Sequence, residues 1–96
     1  MEENVIKELD TLKEMLNNWK RGFLTWVSPD GDNEYVLLEF REEIDAQLYP
    51  YVTRLLETQY LSQSEATEFM DYCYGQVEDL RNQLDKVETN ESIKEV

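Results

Sequence analysis

Carboxylates are the most numerous side chains of this chain that could take part in chemistry. Its 96 residues include 22 Asp and Glu, one cysteine (Cys73) and no histidine. Histidine is the usual general base near neutral pH and a frequent metal ligand. Its absence excludes Ser–His and Cys–His nucleophilic pairs, as well as zinc sites built on imidazole. The chemistry that remains is the binding of hard divalent cations or of basic partners.

The stretch SPDGDNEYVLLE, residues 28–39, resembles an EF-hand calcium loop. Oxygen-bearing side chains alternate along it, and Glu39 takes the place of the bidentate glutamate. The stretch departs from the template at Ser28, where a carboxylate is usual, and at Asn33, where the sharp bend favours glycine. We therefore predict no metal site, and interpret the stretch as a turn with acids at the start of the next helix. Calcium binding is the alternative, and its candidate ligands are Asp30, Asp32, Glu34 and Glu39.

Two further acidic groups have helical spacing: Glu39, Glu42 and Glu43, and then Glu65, Glu68 and Asp71. Side chains three or four residues apart share a helix face, so each group could present convergent oxygens to Mg²⁺ or Mn²⁺. Together they resemble the all-helical nucleoside-triphosphate pyrophosphatases, which bind magnesium through Glu-Glu-x-x-Glu followed by Glu-x-x-Asp. The first element here has the reverse order, and few phosphate-binding Lys or Arg residues are evident. The resemblance implies a metal-dependent nucleotide phosphohydrolase. That is an alternative to our prediction of a non-enzymatic protein without a cofactor.

Three amphipathic patterns must position these carboxylates. Apolar residues recur three or four positions apart over residues 5–26, 36–55 and 66–87, which predicts three helices. The sequence therefore predicts an all-α fold, a three-helix up-down-up antiparallel bundle. The alternative is an α+β fold with a β-hairpin at 22–40, where strand-favouring residues flank a turn. We expect one domain over residues 1–88 and a frayed tail over residues 89–96.

Two local signals refine these helices. Pro50 lies inside the second pattern, where it removes a backbone donor and crowds the preceding turn. We therefore expect the second helix to kink near Pro50. Ser62 and Glu65 have the spacing of a capping box, which predicts the start of the third helix.

The charge balance limits the classes of partner. With only 9 Lys and Arg, the formal net charge is −13. Phosphates would be repelled, so we predict no direct binding to nucleic acid or to anionic membranes. The first residues lack the basic-then-apolar order of a signal peptide, and no apolar run reaches membrane-spanning length. Together with the single cysteine, these features predict a cytoplasmic protein.

The acidic residues are concentrated in the second and third helical patterns. Residues 55–80 contain six acids and no Lys or Arg, a charge array comparable to that of duplex DNA. In size and charge the chain is similar to small acidic phage-type inhibitors that mimic DNA. This favours an inhibitor or adaptor that binds a basic surface of a nucleic-acid-handling protein. The predicted partner-binding residues are Glu39, Glu42, Glu43, Glu65, Glu68, Asp71, Tyr72, Glu78 and Asp79.

A structural helical homodimer is the other non-enzymatic alternative. Five further apolar residues lie outside the main apolar face of each predicted helix: Leu24, Val27, Leu37, Leu38 and Leu56. A three-helix monomer has limited room to cover them, and uncovered apolar surface favours self-association.

Overall fold

A computed structural model of the protein describes residues 2–25 and 34–94, with side chains from residues 2–25 and 34–86. The described residues form three helical segments and no strand, so the predicted all-α fold is confirmed. The hairpin alternative is wrong, because residues 22–24 and 34–40 are helical. Within the described residues, the first segment is α1 (Glu3–Leu24), the middle segment contains α2 (Glu34–Glu43) and α3 (Tyr49–Glu57), and the last is α4 (Gln63–Lys94).

The apolar faces of the helices meet in one core. The largest fully buried side chains come from every segment: Leu16 from α1, Val36 and Phe40 from α2, and Cys73 and Leu80 from α4. Each lies within one of the three apolar helical patterns of the sequence. Trp19 and Phe23 lie partly buried at the margin of this core, and the Phe23 and Phe40 ring centroids are 5.6 Å apart. Trp26, the last residue of the first pattern, lies outside the described residues.

A π-helical turn, Ile44–Leu48, joins α2 to α3, so the middle segment is one continuous helix. In this turn the Tyr49 N–H donates a backbone hydrogen bond to the Ile44 carbonyl, five residues back. Pro50 follows directly, at the start of α3. In a regular α-helix the proline ring would press on the carbonyl of Ala46, and the wider π turn relieves that contact. The sequence signal at Pro50 therefore marks a real irregularity, and the predicted kink of the helix axis stays a prediction.

Polar side-chain contacts link the middle segment to each of the other two segments. The Tyr51 hydroxyl, in α3, donates to Glu8 Oε1, near the start of α1, at 2.7 Å. Arg81 Nη1, just past the middle of α4, lies 3.2 Å from Glu34 Oε1 at the start of α2. Such pairings are expected of antiparallel neighbours, although the up-down-up order itself stays a prediction. The backbone of α4 is helical to Lys94, beyond residue 88, and the division into a domain over 1–88 and a tail over 89–96 also stays a prediction.

Hydrogen bonds stabilise both ends of the turn between α3 and α4. At the α3 end, the Gln59 N–H donates to the Leu56 carbonyl at 3.1 Å and the Tyr60 N–H to the Leu55 carbonyl at 2.9 Å. This is the bond pattern of a Schellman motif, and Gln59 takes its left-handed position with φ 67°. At the α4 end, the Ser62 N–H donates to Glu65 Oε1 at 2.8 Å and the Glu65 N–H donates to Ser62 Oγ at 3.1 Å. The predicted capping box is confirmed.

Candidate protein-interaction surface

Asp79, one of the nine predicted partner-binding residues, already has hydrogen-bond and ion-pair partners within the fold. Its Oδ2 lies 2.6 Å from Lys20 Nζ and accepts a second hydrogen bond from Gln83 Nε2 at 2.7 Å. The Lys20 side chain is only 13% exposed, and its ammonium also donates to Gln76 Oε1 at 2.7 Å. The hydrogen bond from Lys20, and then that from Gln83, hold the pKa of Asp79 below its usual value. Asp79 therefore ties α4 to α1.

Three more of the nine residues also serve the chain's own contacts. Tyr72 faces α1, where its hydroxyl accepts from Asn17 Nδ2 at 3.4 Å and Lys13 Nζ lies 4.8 Å from its ring centroid. Glu65 closes the capping box, and its bonds to Ser62 lower its pKa. Glu78 Oε2 lies 3.8 Å from Arg81 Nε, on the same helix.

The remaining five residues come from two helices, three from α2 and two from α4. Glu43 is half-buried and lines a cavity with Trp19 and Phe23 of α1, and Glu39 lines another cavity with Phe23 and Tyr35. Glu39, Glu42, Glu68 and Asp71 are exposed, and none forms a hydrogen bond or ion pair within residues 2–25 and 34–86. These four carboxylates, here called the free acidic set, are the part of the predicted surface that is open to a partner.

The acidic residues do not assemble into a metal site within the described part of the chain. No group of three Asp, Glu or Cys side chains there has the geometry to hold a metal ion. Of the calcium-loop residues, Glu34 forms an ion pair with Arg81 and Glu39 is exposed one turn later on α2. Asp30 and Asp32 lie outside the described residues, so calcium binding by this loop stays untested.

A groove between α3 and α4 brings Asp71 next to residues that the sequence did not group with it. Its volume is about 220 Å³. Apolar side chains form its floor, and tyrosines, threonines and one carboxylate form its rim. The lining residues are Tyr49, Val52, Thr53, Leu56, Gln63, Ala66, Thr67, Met70, Asp71 and Tyr74. None of these is Lys or Arg.

Tyr74 is fixed at this groove by the π turn. Its hydroxyl donates a hydrogen bond to Asp45 Oδ1, and the Arg41 guanidinium carbon lies 5.6 Å from its ring centroid. Burial, followed by the hydrogen bond to Asp45, raises the pKa of Tyr74 to about 12. Tyr49, which directly follows the π turn, stays 55% exposed. The α4 wall of the groove therefore carries a tyrosine that is hydrogen-bonded to Asp45, and the α3 wall carries an accessible one.

Sequence reasoning missed Tyr74 and the groove as a whole. One signal was present, because Tyr74 follows Asp71 by three positions and Met70 by four, which places these side chains on neighbouring parts of one helix face. The partner wall on α3 depends on how two segments pack, which helical spacing alone does not give.

Comparison with known proteins gives no family assignment. No protein-family model, curated protein or solved structure matches this chain. None of the described helices combines the length and the apolar character of a membrane span.

Proposed function

We propose that this protein is a non-enzymatic acidic interaction module that binds a partner protein through a basic surface of that partner. The sharper form of the proposal is an inhibitor or adaptor of a nucleic-acid-handling protein, because such proteins carry extended basic surfaces that track phosphates. An array of carboxylates can occupy such a surface in place of the nucleic acid.

The free acidic set carries this proposal. Glu39 and Glu42 on α2, with Glu68 and Asp71 on α4, are exposed and have no cation within the described part of the chain. A net charge of −13 leaves most carboxylates without an internal counter-charge. A basic partner would supply that charge, and its encounter with the module would be steered over a distance set by ionic strength.

The test is affinity purification from the source cell with a charge-matched pair of variants. The site variant is E39Q/E42Q/E68Q/D71N. The control variant is E2Q/D10N/E14Q/E57Q, which removes the same number of Glu and Asp side chains from other exposed positions. Both variants have the same net charge, so a general charge effect would weaken them equally.

The expected result is recovery of proteins with basic surfaces by the wild type and by the control variant. Recovery should fall about tenfold for the site variant, and it should fall with rising salt because exposed charge pairs are screened. Equal losses in the two variants, or recovery that does not respond to salt, would contradict the proposal.

The homodimer alternative keeps one supporting observation. Leu38 is 58% exposed and Tyr35 is 52% exposed on neighbouring turns of α2. Leu37 is buried, and Leu24 and Leu56 pack against the core, so the fold covers three of the four described residues that motivated this alternative. Val27 lies outside the described residues. Sedimentation tests it directly, because a strict monomer at high protein concentration would eliminate it.

A further inference from the structure

We infer that the groove between α3 and α4 is the anchor site for the basic partner. It takes one aliphatic side chain from a basic segment of that partner, and Asp71 and Tyr49 hold the adjacent Lys or Arg. This inference rests on the proposed function, because it describes how the same partner is bound.

The size of the groove favours a side chain over a whole small molecule. Its volume of about 220 Å³ lies below the roughly 300–1,000 Å³ of sites that enclose drug-sized ligands. A leucine, isoleucine or methionine side chain, or the aliphatic stem of a lysine, needs less space than such a ligand.

The lining of the groove fits an aliphatic insert. Val52 and Ala66 are buried at its floor, and Leu56 and Met70 are partly buried beside them. Methionine adapts its shape to the side chain that it contacts. Tyr49 offers a large ring with two side-chain torsions, and tyrosines of this kind are frequent binding hot spots.

Asp71, the single carboxylate of the rim, selects a basic segment. Asp71 is exposed and has no partner within the described residues, so a Lys or Arg beside the inserted side chain would neutralise it. The exposed ring of Tyr49 can receive the same cation on its face. Arg41 does not compete for this role, because it lies over the Tyr74 ring.

The same carboxylate and the net charge of the chain disfavour other occupants. A second copy of this chain would bring another net charge of −13 to an acidic rim. Nucleic acid is disfavoured for the same reason, since its phosphates would face Asp71. A basic protein segment is the occupant that both the floor and the rim accept.

The experiment uses three short synthetic peptides titrated into the isotope-labelled full chain, with backbone amide shifts as the readout. The Lys–Leu probe contains lysine, leucine and serine. The Lys–Ser probe replaces its leucines with serine, and the Glu–Leu probe replaces its lysines with glutamate. We expect the Lys–Leu probe to bind most tightly and to shift the amides of Thr53, Thr67 and Met70 at low salt.

Two tyrosine variants provide the matched control. Tyr49 at the groove and Tyr60 in the turn are 55% and 50% exposed, so their truncation should cost similar stability. Tyr49→Ala should weaken the Lys–Leu probe about tenfold, the effect of losing one moderate hot spot, while Tyr60→Ala stays within about twofold. Asp71→Asn, at an exposed position, should reduce the advantage of the Lys–Leu probe over the Glu–Leu probe.

The outcomes separate this inference from the proposed function. If the Lys–Ser probe binds as well as the Lys–Leu probe, the groove inference is overturned and the acidic module stands. Equal binding of the Glu–Leu probe would also overturn the inference, because the rim would then not select charge. If neither basic probe binds, the inference and the proposed function both fail.

Discussion

Cys73 is a single-residue reporter of the packed core. Its side chain is fully buried, and burial raises the pKa of its thiol to about 12. The thiolate is the reactive form, so at pH 8 the folded chain should hold roughly a thousandfold less of it than a thiol with the usual pKa of about 8.5. We expect labelling by a thiol reagent at pH 8 to be slow in buffer and fast in denaturant. Native labelling at the rate of the unfolded chain would show that α4 does not pack as described.

Asp79 should make stability depend on pH. Its pKa is lowered in the folded chain by Lys20 and Gln83. A carboxyl of this kind stabilises the fold above its unfolded pKa of about 3.9, and loses that contribution as the pH falls through the lower folded value. Asp79→Asn should therefore reduce the free energy of unfolding at pH 7. The difference from wild type should shrink as the pH falls below about 4, and it should disappear only below the lowered folded pKa of Asp79.

The size of this effect follows from the unequal burial of the pair. The Asp79 side chain is 49% exposed, so solvent screens much of its attraction, but Lys20 is 13% exposed and would lose its charge partner. We expect a cost of about 1 kcal/mol at pH 7, between the values for exposed and buried pairs. Denaturant unfolding at several pH values measures it. The control is Glu3→Gln, which breaks the exposed Lys7–Glu3 pair and should change the free energy of unfolding by less than about 0.5 kcal/mol. Equal costs for the two variants would contradict this account.

For single residues, the sequence predicts contacts with near neighbours along the chain, but it does not predict partners that are distant in sequence. The capping role of Glu65 follows from a residue three positions away, and the structure confirms it. The role of Asp79 depends on Lys20, a neighbour only through the packing of α1 on α4. A carboxylate that is free and one that is paired across the bundle look alike in the sequence.

Among the elements, α4 contains an unfavourable glycine in its interior. Gly75 is exposed, and a Cβ added there would meet nothing within 4 Å. Alanine has less backbone freedom to lose on folding, so Gly75→Ala should raise the free energy of unfolding by roughly 0.5–1 kcal/mol. Gly22→Ala is the control, because Gly22 lies equally open in the last turn of α1, where helices fray and the gain should be smaller. An unchanged midpoint for Gly75→Ala would contradict a continuous α4.

The turn between α3 and α4 offers a second element-scale prediction. Gln59 has φ 67°, a conformation in which a Cβ is strained. Gln59→Gly should stabilise the chain by roughly 0.5–1 kcal/mol, since the relief of strain exceeds the extra entropy that glycine loses. Gln59→Ala keeps the Cβ and should give no gain. Thermal unfolding of both variants distinguishes strain relief from the mere loss of the glutamine side chain. A gain in both would show that the strain is not the cause.

Helical segments could be predicted here because their apolar residues recur with the helical period. For the π turn, the sequence predicts only that the helix is irregular near Pro50. Pro50 excludes a regular turn, but a kink, a break and a π turn all remove the same steric conflict. The groove could not be predicted, because one wall comes from α3 and the other from α4, and its width depends on their packing.

At the scale of the whole molecule, shape and charge act together. The protein measures 56 × 21 × 19 Å along its principal axes. A net charge of −13 on so narrow a body keeps many carboxylates close to one another. In water, two like charges about 10 Å apart repel by about 0.4 kcal/mol. The same repulsion that makes the surface attractive to a basic partner must therefore destabilise the free protein.

Salt should consequently stabilise this protein. Raising the ionic strength from about 0.01 M to about 0.15 M shortens the screening length from about 30 Å to about 8 Å, which removes most repulsion between distant carboxylates. Salt also weakens ion pairs such as Lys20–Asp79, but short, partly buried contacts are screened less. We expect the free energy of unfolding to rise by on the order of 1 kcal/mol, measured by urea unfolding because urea adds no ions. The variant E39Q/E42Q/E68Q/D71N reduces the negative net charge from −13 to −9. It should therefore be more stable than wild type at low salt and respond less to added salt. A fall in the free energy of unfolding with salt would mean that attractive ion pairs outweigh the repulsion between carboxylates. The free acidic set would then lack the excess negative charge that a basic partner is proposed to neutralise.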